Sequence, residues 1–130
     1  MPLDETLAAA VDAASFAHLA TVMRDGSPHV SVVWIERDGD RLTFNTAEGR
    51  VKAVNVRRDP RVAFSISPPD DPYMNIAVRG RVIDITTEAA DEQIDRLASK
   101  YLGLDEYPWR EPGQVRLKVV VAVAGAASNR

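Results

Sequence analysis

Cysteine is absent from the 130 residues, histidine occurs only twice, and aromatic side chains make up 6% of the chain. Without cysteine there is no disulfide scaffold, zinc ribbon, thiolate-held iron–sulfur centre or thiol nucleophile. His18 and His29 lack the helical or hairpin spacing of a zinc pair, so no metal site is expected. Phosphate-loop, Gly-x-Gly-x-x-Gly, Gly-x-Ser-x-Gly and His-Glu-x-x-His patterns are all missing, which sets a hydrolase aside and leaves no residue assigned a catalytic role. There is no excess of positive charge either. Sixteen basic residues against nineteen acidic ones give a net charge of −3, which opposes a nucleic-acid coat or a basic membrane-surface protein. No apolar run approaches ~18 residues, and the acidic Met1-Pro-Leu-Asp-Glu5 start does not read as a signal peptide. The expectation is a soluble cytoplasmic protein with neither nucleic-acid nor membrane partners.

What is present is 45% hydrophobic and 27% charged residue content, enough for one domain over residues 1–130 with a single core. Leu7, Ala10, Val11 and Ala14 recur at helical spacing, predicting a helix over Leu3–Ala14. Strand patterns follow over Phe16–Met23 and His29–Arg37, separated by the turn cluster Arg24-Asp-Gly-Ser-Pro28, and a third over Arg41–Thr46 after the Asp38-Gly39 turn. Glu48–Arg58 shifts to helical spacing, with Val51, Val54 and Asn55 recurring, and Asp59-Pro60 ends it. Arg61–Ser67 and Tyr73–Thr86 read as the fourth and fifth strands, and Gly80 inside the latter predicts a bulge. Thr87–Leu102 is the clearest helix, with Ile94, Leu97, Ala98 and Tyr101 on one stripe and Gly103 as its cap. Val115–Val123, with Leu117, Val119, Val121 and Val123 on one face, closes the chain. Six strands joined mostly by hairpins, with short flanking helices, predict a mainly β (α+β) antiparallel barrel.

One segment breaks a local rule. In Glu48-Gly-Arg-Val-Lys-Ala-Val-Asn-Val-Arg-Arg58, Arg50 and Lys52 occupy the first turn of the expected helix, where the macrodipole disfavours cations. A bound anion would reverse that penalty, and Gly49 would let the backbone come close to it. A solvated basic face on a short surface helix accounts for the same charges.

The runs Ala20–Trp34, Leu42–Thr46 and Arg50-Val-Lys-Ala-Val-Asn-Val-Arg-Arg-Asp-Pro-Arg-Val62 resemble the pyridoxamine 5′-phosphate oxidase-like split-barrel flavoproteins. The Arg-x-Lys-x-x-Asn-x-Arg-Arg-Asp-Pro-Arg-Val stretch is most similar to the branch that uses the deazaflavin coenzyme F-420 rather than FMN. The resemblance implies a homodimer of six-stranded split barrels with a cofactor groove at each subunit interface. It places Arg50 and Lys52 on the cofactor phosphate, and Ser31, Val32, Val33, Trp34, Asn45 and Thr46 around the ring system, with His29 and Asn55 beside them. Tyr73, Met74, Arg79 and Trp109 are the candidates for a contribution from the second subunit. The implied activity is an oxidoreductase that passes hydride from reduced coenzyme F-420 to an unsaturated organic acceptor. An FMN-dependent oxidoreductase of the same fold, a non-catalytic flavin- or haem-binding module, and a purely dimeric interaction domain are the alternatives. The chain departs from a true pyridoxamine phosphate oxidase in having no histidine after His29, which argues against that substrate.

Overall fold

The computed structural model describes residues 3–130 as three helices and one curled antiparallel sheet. In chain order the elements are α1 (Glu5–Asp12), β1 (Phe16–Val22), β2 (Pro28–Val33), β3 (Ile35–Asp38), β4 (Arg41–Ala47), α2 (Val51–Arg58), β5 (Arg61–Ser67), β6 (Ile76–Thr86), α3 (Ala90–Leu102) and β7 (Arg116–Ser128). The strand order is β2-β1-β5-β6-β7-β4-β3.

Seven strands replace the six expected, because the run His29–Arg37 breaks at Trp34. Its first half pairs with β1, His18 opposite Val32, and its second half pairs with β4, Ile35 opposite Phe44. The two halves therefore stand at opposite ends of the sheet order and are joined through Trp34. That joint carries the chain directly from one end of the sheet order to the other, so the two ends lie side by side at the corner and the curled sheet is a split barrel.

Alternation along the strands carries the inner faces into a core that includes Leu19, Leu42, Phe44, Phe64, Ile66 and Val119. The Phe44 and Phe64 rings meet edge to face with centroids 6.2 Å apart. The bulge expected at Gly80 is present. Arg79 pairs with Gly125 but Gly80 pairs with Val123, and a second register shift between Val82 and Asp84 bends β6 again. A Cβ on Gly80 would lie 2.6 Å from the Ala122 carbonyl oxygen and 2.7 Å from Val121 Cγ1, so the glycine permits a close strand approach.

Helix ends differ from the periodicity for local reasons. α1 begins after Asp4, whose Oδ1 accepts from the Leu7 amide at 2.8 Å, so Leu3 and Asp4 fall outside the helix. α3 starts at Ala90 rather than Thr87, because the Thr86 hydroxyl accepts from the Glu88 amide and Ala89 adopts a left-handed conformation, φ 59°. Gly103 caps its far end at φ 71°, as expected. In α2 the inward residues are Ala53, Asn55 and Val56, whereas Val51 and Val54 remain 45% and 49% exposed. Helical spacing was present there, but the apolar stripe points outward.

α3 is clamped over the Trp34 joint. Lys100 Nζ donates to the carbonyls of Val11 and Ile35, and the Tyr101 hydroxyl accepts from the Ile35 amide and donates to the Ser15 carbonyl at 2.8 Å. Tyr101 and Trp34 stack with centroids 5.4 Å apart. These contacts hold α1, β3 and α3 together where the sheet turns back on itself.

Candidate functional site

A cleft of about 190 Å³ opens beside that joint. Its floor is the β2–β3 corner, Val32 to Trp34, together with Asn45, Thr46 and Ala47 at the end of β4. Arg50 and Lys52, from the start of α2, stand on one side. α3 supplies the apolar Ile94 and Leu97, the segment 103–115 supplies Tyr107 and Trp109, and the first residue of β7 supplies Arg116.

Strand register explains the third cation. Arg116 lies opposite Ala47 across the β4–β7 ladder, so the end of β4 brings both Asn45–Ala47 and Arg116 to the site. Arg116 is 8% exposed. Its Nε donates to Asn45 Oδ1 at 2.8 Å, its Nη1 to Gln114 Oε1 at 3.1 Å, and its guanidinium carbon sits 5.1 Å from the Tyr107 ring centroid. Asn45 is held from the other side, donating through Nδ2 to the Ala90 carbonyl at 2.8 Å and to Gln93 Oε1 at 3.0 Å. Asn45 therefore orients Arg116.

Seven ion pairs form among the described residues, and none includes Arg50, Lys52 or Arg116. Arg57, by contrast, is matched to Glu48, and Arg61 to Asp59. Arg50 is the N-cap of α2 without a capping side chain, and no acidic residue stands in the first turn. Burial pulls the half-buried Lys52 ammonium below its ordinary value, and the charges of Arg50 and Arg116 push the same way. Burial likewise lowers Arg116. A cluster of like charges with no carboxylate is stable only at a cost that an anion would remove.

The sign of the Lys52 shift yields a measurable consequence. In the free protein its lowered pKa means that, on the alkaline side of neutrality and below the usual lysine value of about 10.4, the folded state holds fewer protons than the unfolded one. Stability from this group accordingly rises with pH through that window. An anion in the cleft raises the pKa again, so binding takes up protons there. Calorimetric titration with sulfate, which does not itself titrate in this range, is expected to give heats that differ between buffers of unlike ionisation enthalpy. Equal heats would remove Lys52 from the anion site.

Of the residues singled out from sequence, Val32, Val33, Trp34, Asn45, Thr46, Arg50 and Lys52 lie together along the cleft. His29, Ser31 and Asn55 do not line it. Asn55 Nδ2 donates to Thr21 Oγ1 at 3.0 Å and to Met23 Sδ, and its Oδ1 accepts from Arg58, which ties α2 to β1. His29 Nδ1 and Ser31 Oγ, both on β2, are buried without a hydrogen-bond partner among the described residues. Trp109, considered above for a second subunit, lines the cleft of its own chain, while Tyr73, Met74 and Arg79 lie elsewhere. Sequence reasoning missed Arg116 and Tyr107. The available signal was a lone arginine opening the apolar run Leu117–Val123, which a strand start places at a barrel rim.

Residues 3–126 match the family model described as pyridoxamine 5′-phosphate oxidase. Among solved structures, an F-420 reductase is 31% identical with a TM-score of 0.82, over 96% of this chain and 98% of that one. A protein described as a putative pyridoxamine 5′-phosphate oxidase from Listeria innocua is 20% identical with a TM-score of 0.73, over 96% of both chains. General Stress Protein 26 from Bacillus anthracis is 16% identical with a TM-score of 0.69, over 95% of this chain and 91% of that one. The last two share the fold.

Proposed function

The chain belongs to the pyridoxamine 5′-phosphate oxidase family, and from that premise we propose that it is an oxidoreductase using coenzyme F-420, reducing an unsaturated organic acceptor. The observation that carries this reading is the group of three cations, Arg50, Lys52 and Arg116, brought to one cleft without a carboxylate among the described residues. The likeness to an F-420 reductase, at 31% identity over nearly the whole of both chains, supports the deazaflavin over FMN.

The residues present fit such a cofactor. A phosphate needs cations and open amides, which Arg50, Lys52 and the uncapped start of α2 offer. A tricyclic ring needs an apolar slot with a backbone edge, and Val32 and Val33, just before the Trp34 joint, belong to a strand, β2, that pairs on one side only. When bound, the reduced deazaflavin supplies the hydride. The protein's part is to anchor, orient and dry the site. Arg50 and Lys52 hold the phosphate, Asn45 keeps Arg116 aimed at the cleft, and Ile94, Leu97 and Trp34 exclude water. Neither histidine nor carboxylate lines the cleft among the described residues, so the chain offers positioning and charge stabilisation in place of an acid–base pair.

The same reading carries a homodimer. Phe16 on β1 and Val30 and Val32 on β2 are large, exposed apolar side chains on neighbouring strands, as a buried subunit contact requires. Among the described residues no helix is long and apolar enough to cross a membrane.

Parallel fluorescence titrations with F-420 and FMN test the cofactor. Micromolar or tighter binding of F-420 with clearly weaker FMN is the expected result. Preference for FMN would transfer the activity to the FMN-dependent alternative, and failure of both to bind would end the oxidoreductase reading.

A further inference from the structure

Gln93 is a polar side chain, 0% exposed, on a helix whose inward stripe is otherwise apolar, formed by Ala90, Ile94, Leu97 and Ala98. Its amide is only half used. Oε1 accepts from Asn45 Nδ2 at 3.0 Å, whereas Nε2 is buried with no hydrogen-bond partner among the described residues. An unmet buried donor is destabilising, and leucine or methionine would fill a similar volume without one, so packing does not explain a glutamine here. The carboxamide oxygen does, because of what stands at the other end of its hydrogen-bond chain.

The direction of that chain is fixed from both ends. A guanidinium can only donate, so the oxygen of Asn45 must face Arg116 Nε. The Ala90 carbonyl can only accept, so the Asn45 amide nitrogen must face α3, where Gln93 Oε1 meets its second hydrogen. With its oxygen and both amide hydrogens engaged, Asn45 has one orientation. Asn45 takes Nε of Arg116 and Gln114 takes Nη1, which leaves Nη2 to an anion. Asn45 and Arg116 line the cleft, but Gln93 does not, and its side chain reaches the anchor through Asn45.

Resting on the phosphate-binding reading of this cleft, we propose that Gln93 is a positioning residue for the anion anchor: through Asn45, its carboxamide oxygen fixes the Arg116 guanidinium so that Nη2 is presented to a tetrahedral oxyanion. A long side chain already held in its bound orientation spares the ordering cost on binding. Helix α3 thereby serves the charged end of the site as well as the apolar wall that Ile94 and Leu97 form.

The test is calorimetric titration of the full chain with sulfate. Gln93→Leu and Gln93→Met remove the oxygen and keep most of the volume, and each is expected to weaken sulfate binding about fivefold. Both should melt close to the parent, since an unmet donor on Asn45 replaces the one on Gln93. In an Arg116→Gln background, where Arg50 and Lys52 still hold sulfate, Gln93→Leu is expected to change the affinity no further, because the residue acts only through Arg116. The Arg116 Nε–H resonance is expected to exchange with water faster in both single variants. A fivefold loss that persists without Arg116, unchanged sulfate affinity in the single variants, or unchanged Nε–H exchange overturns the positioning role. A parent protein that does not bind sulfate overturns the anion site and this role together. Gln93-dependent sulfate binding in a protein that takes up neither F-420 nor FMN counts against the oxidoreductase reading alone.

Discussion

Replacing Lys52 by alanine is expected to weaken F-420 binding by roughly ten- to a hundredfold, the ~1.5–3 kcal/mol of a hydrogen bond to a charged group. The expectation rests on a half-buried ammonium that has no carboxylate partner among the described residues and stands beside two further cations. The free protein is expected to respond in the opposite sense. Removing Lys52 relieves its repulsion with Arg50 and Arg116, so the unliganded variant should melt no lower than the parent, and higher at low ionic strength. Binding and stability thus move in opposite directions, a signature that a lysine with a purely structural role would not give. Titration of the variant with F-420, together with its thermal unfolding in low and high salt, checks both halves. An unchanged dissociation constant would withdraw Lys52 from the phosphate.

Gly80→Ala is the substitution expected to cost the fold most, about 3 kcal/mol, at the upper end of overpacking effects. The added methyl would meet the Ala122 carbonyl oxygen at 2.6 Å and Val121 Cγ1 at 2.7 Å. The obstruction is backbone in the long β6–β7 ladder, which cannot swing aside as a side-chain tip can. Gly26→Ala provides the control. Gly26 has φ +88° in a turn, but a Cβ there meets nothing within 4 Å, so only the left-handed backbone is penalised, by about 1 kcal/mol. Urea unfolding of the three proteins is expected to rank parent, Gly26→Ala and Gly80→Ala in falling order. Equal losses for the two glycines would mean that the β6–β7 approach is not tight.

Much of this architecture is legible along the chain. The strand runs, the Gly80 bulge, the Gly103 cap and the α3 stripe all follow from periods of two or 3.6 and from residues with special backbone freedom, which are local properties. Arg50 and Lys52 were conspicuous because they violate a local electrostatic rule at a helix start. Val51 and Val54 misled because helical spacing shows that a stripe exists but not which way it faces. Asn55 lies on the inward face of α2, yet it bonds to Thr21 and Met23 rather than lining the cleft, a distinction spacing cannot make.

Local patterning in the sequence by itself determined an antiparallel, mainly β chain with a terminal apolar strand and an unusually basic helix start. Tertiary structure decided that His29–Arg37 is two strands, because only pairing with both β1 and β4 demands a corner at Trp34. It also extended β7 through Ala124–Ser128, residues with little intrinsic strand preference that pair with β6 as far as Ile76. Above all it decided which cations go without acids. Arg116 is 66 residues from Arg50 in the chain, and only the β4–β7 register, Ala47 opposite Arg116, sets the two beside one cleft. Charge pairing is a property of distance in space, and no local pattern along the chain encodes it.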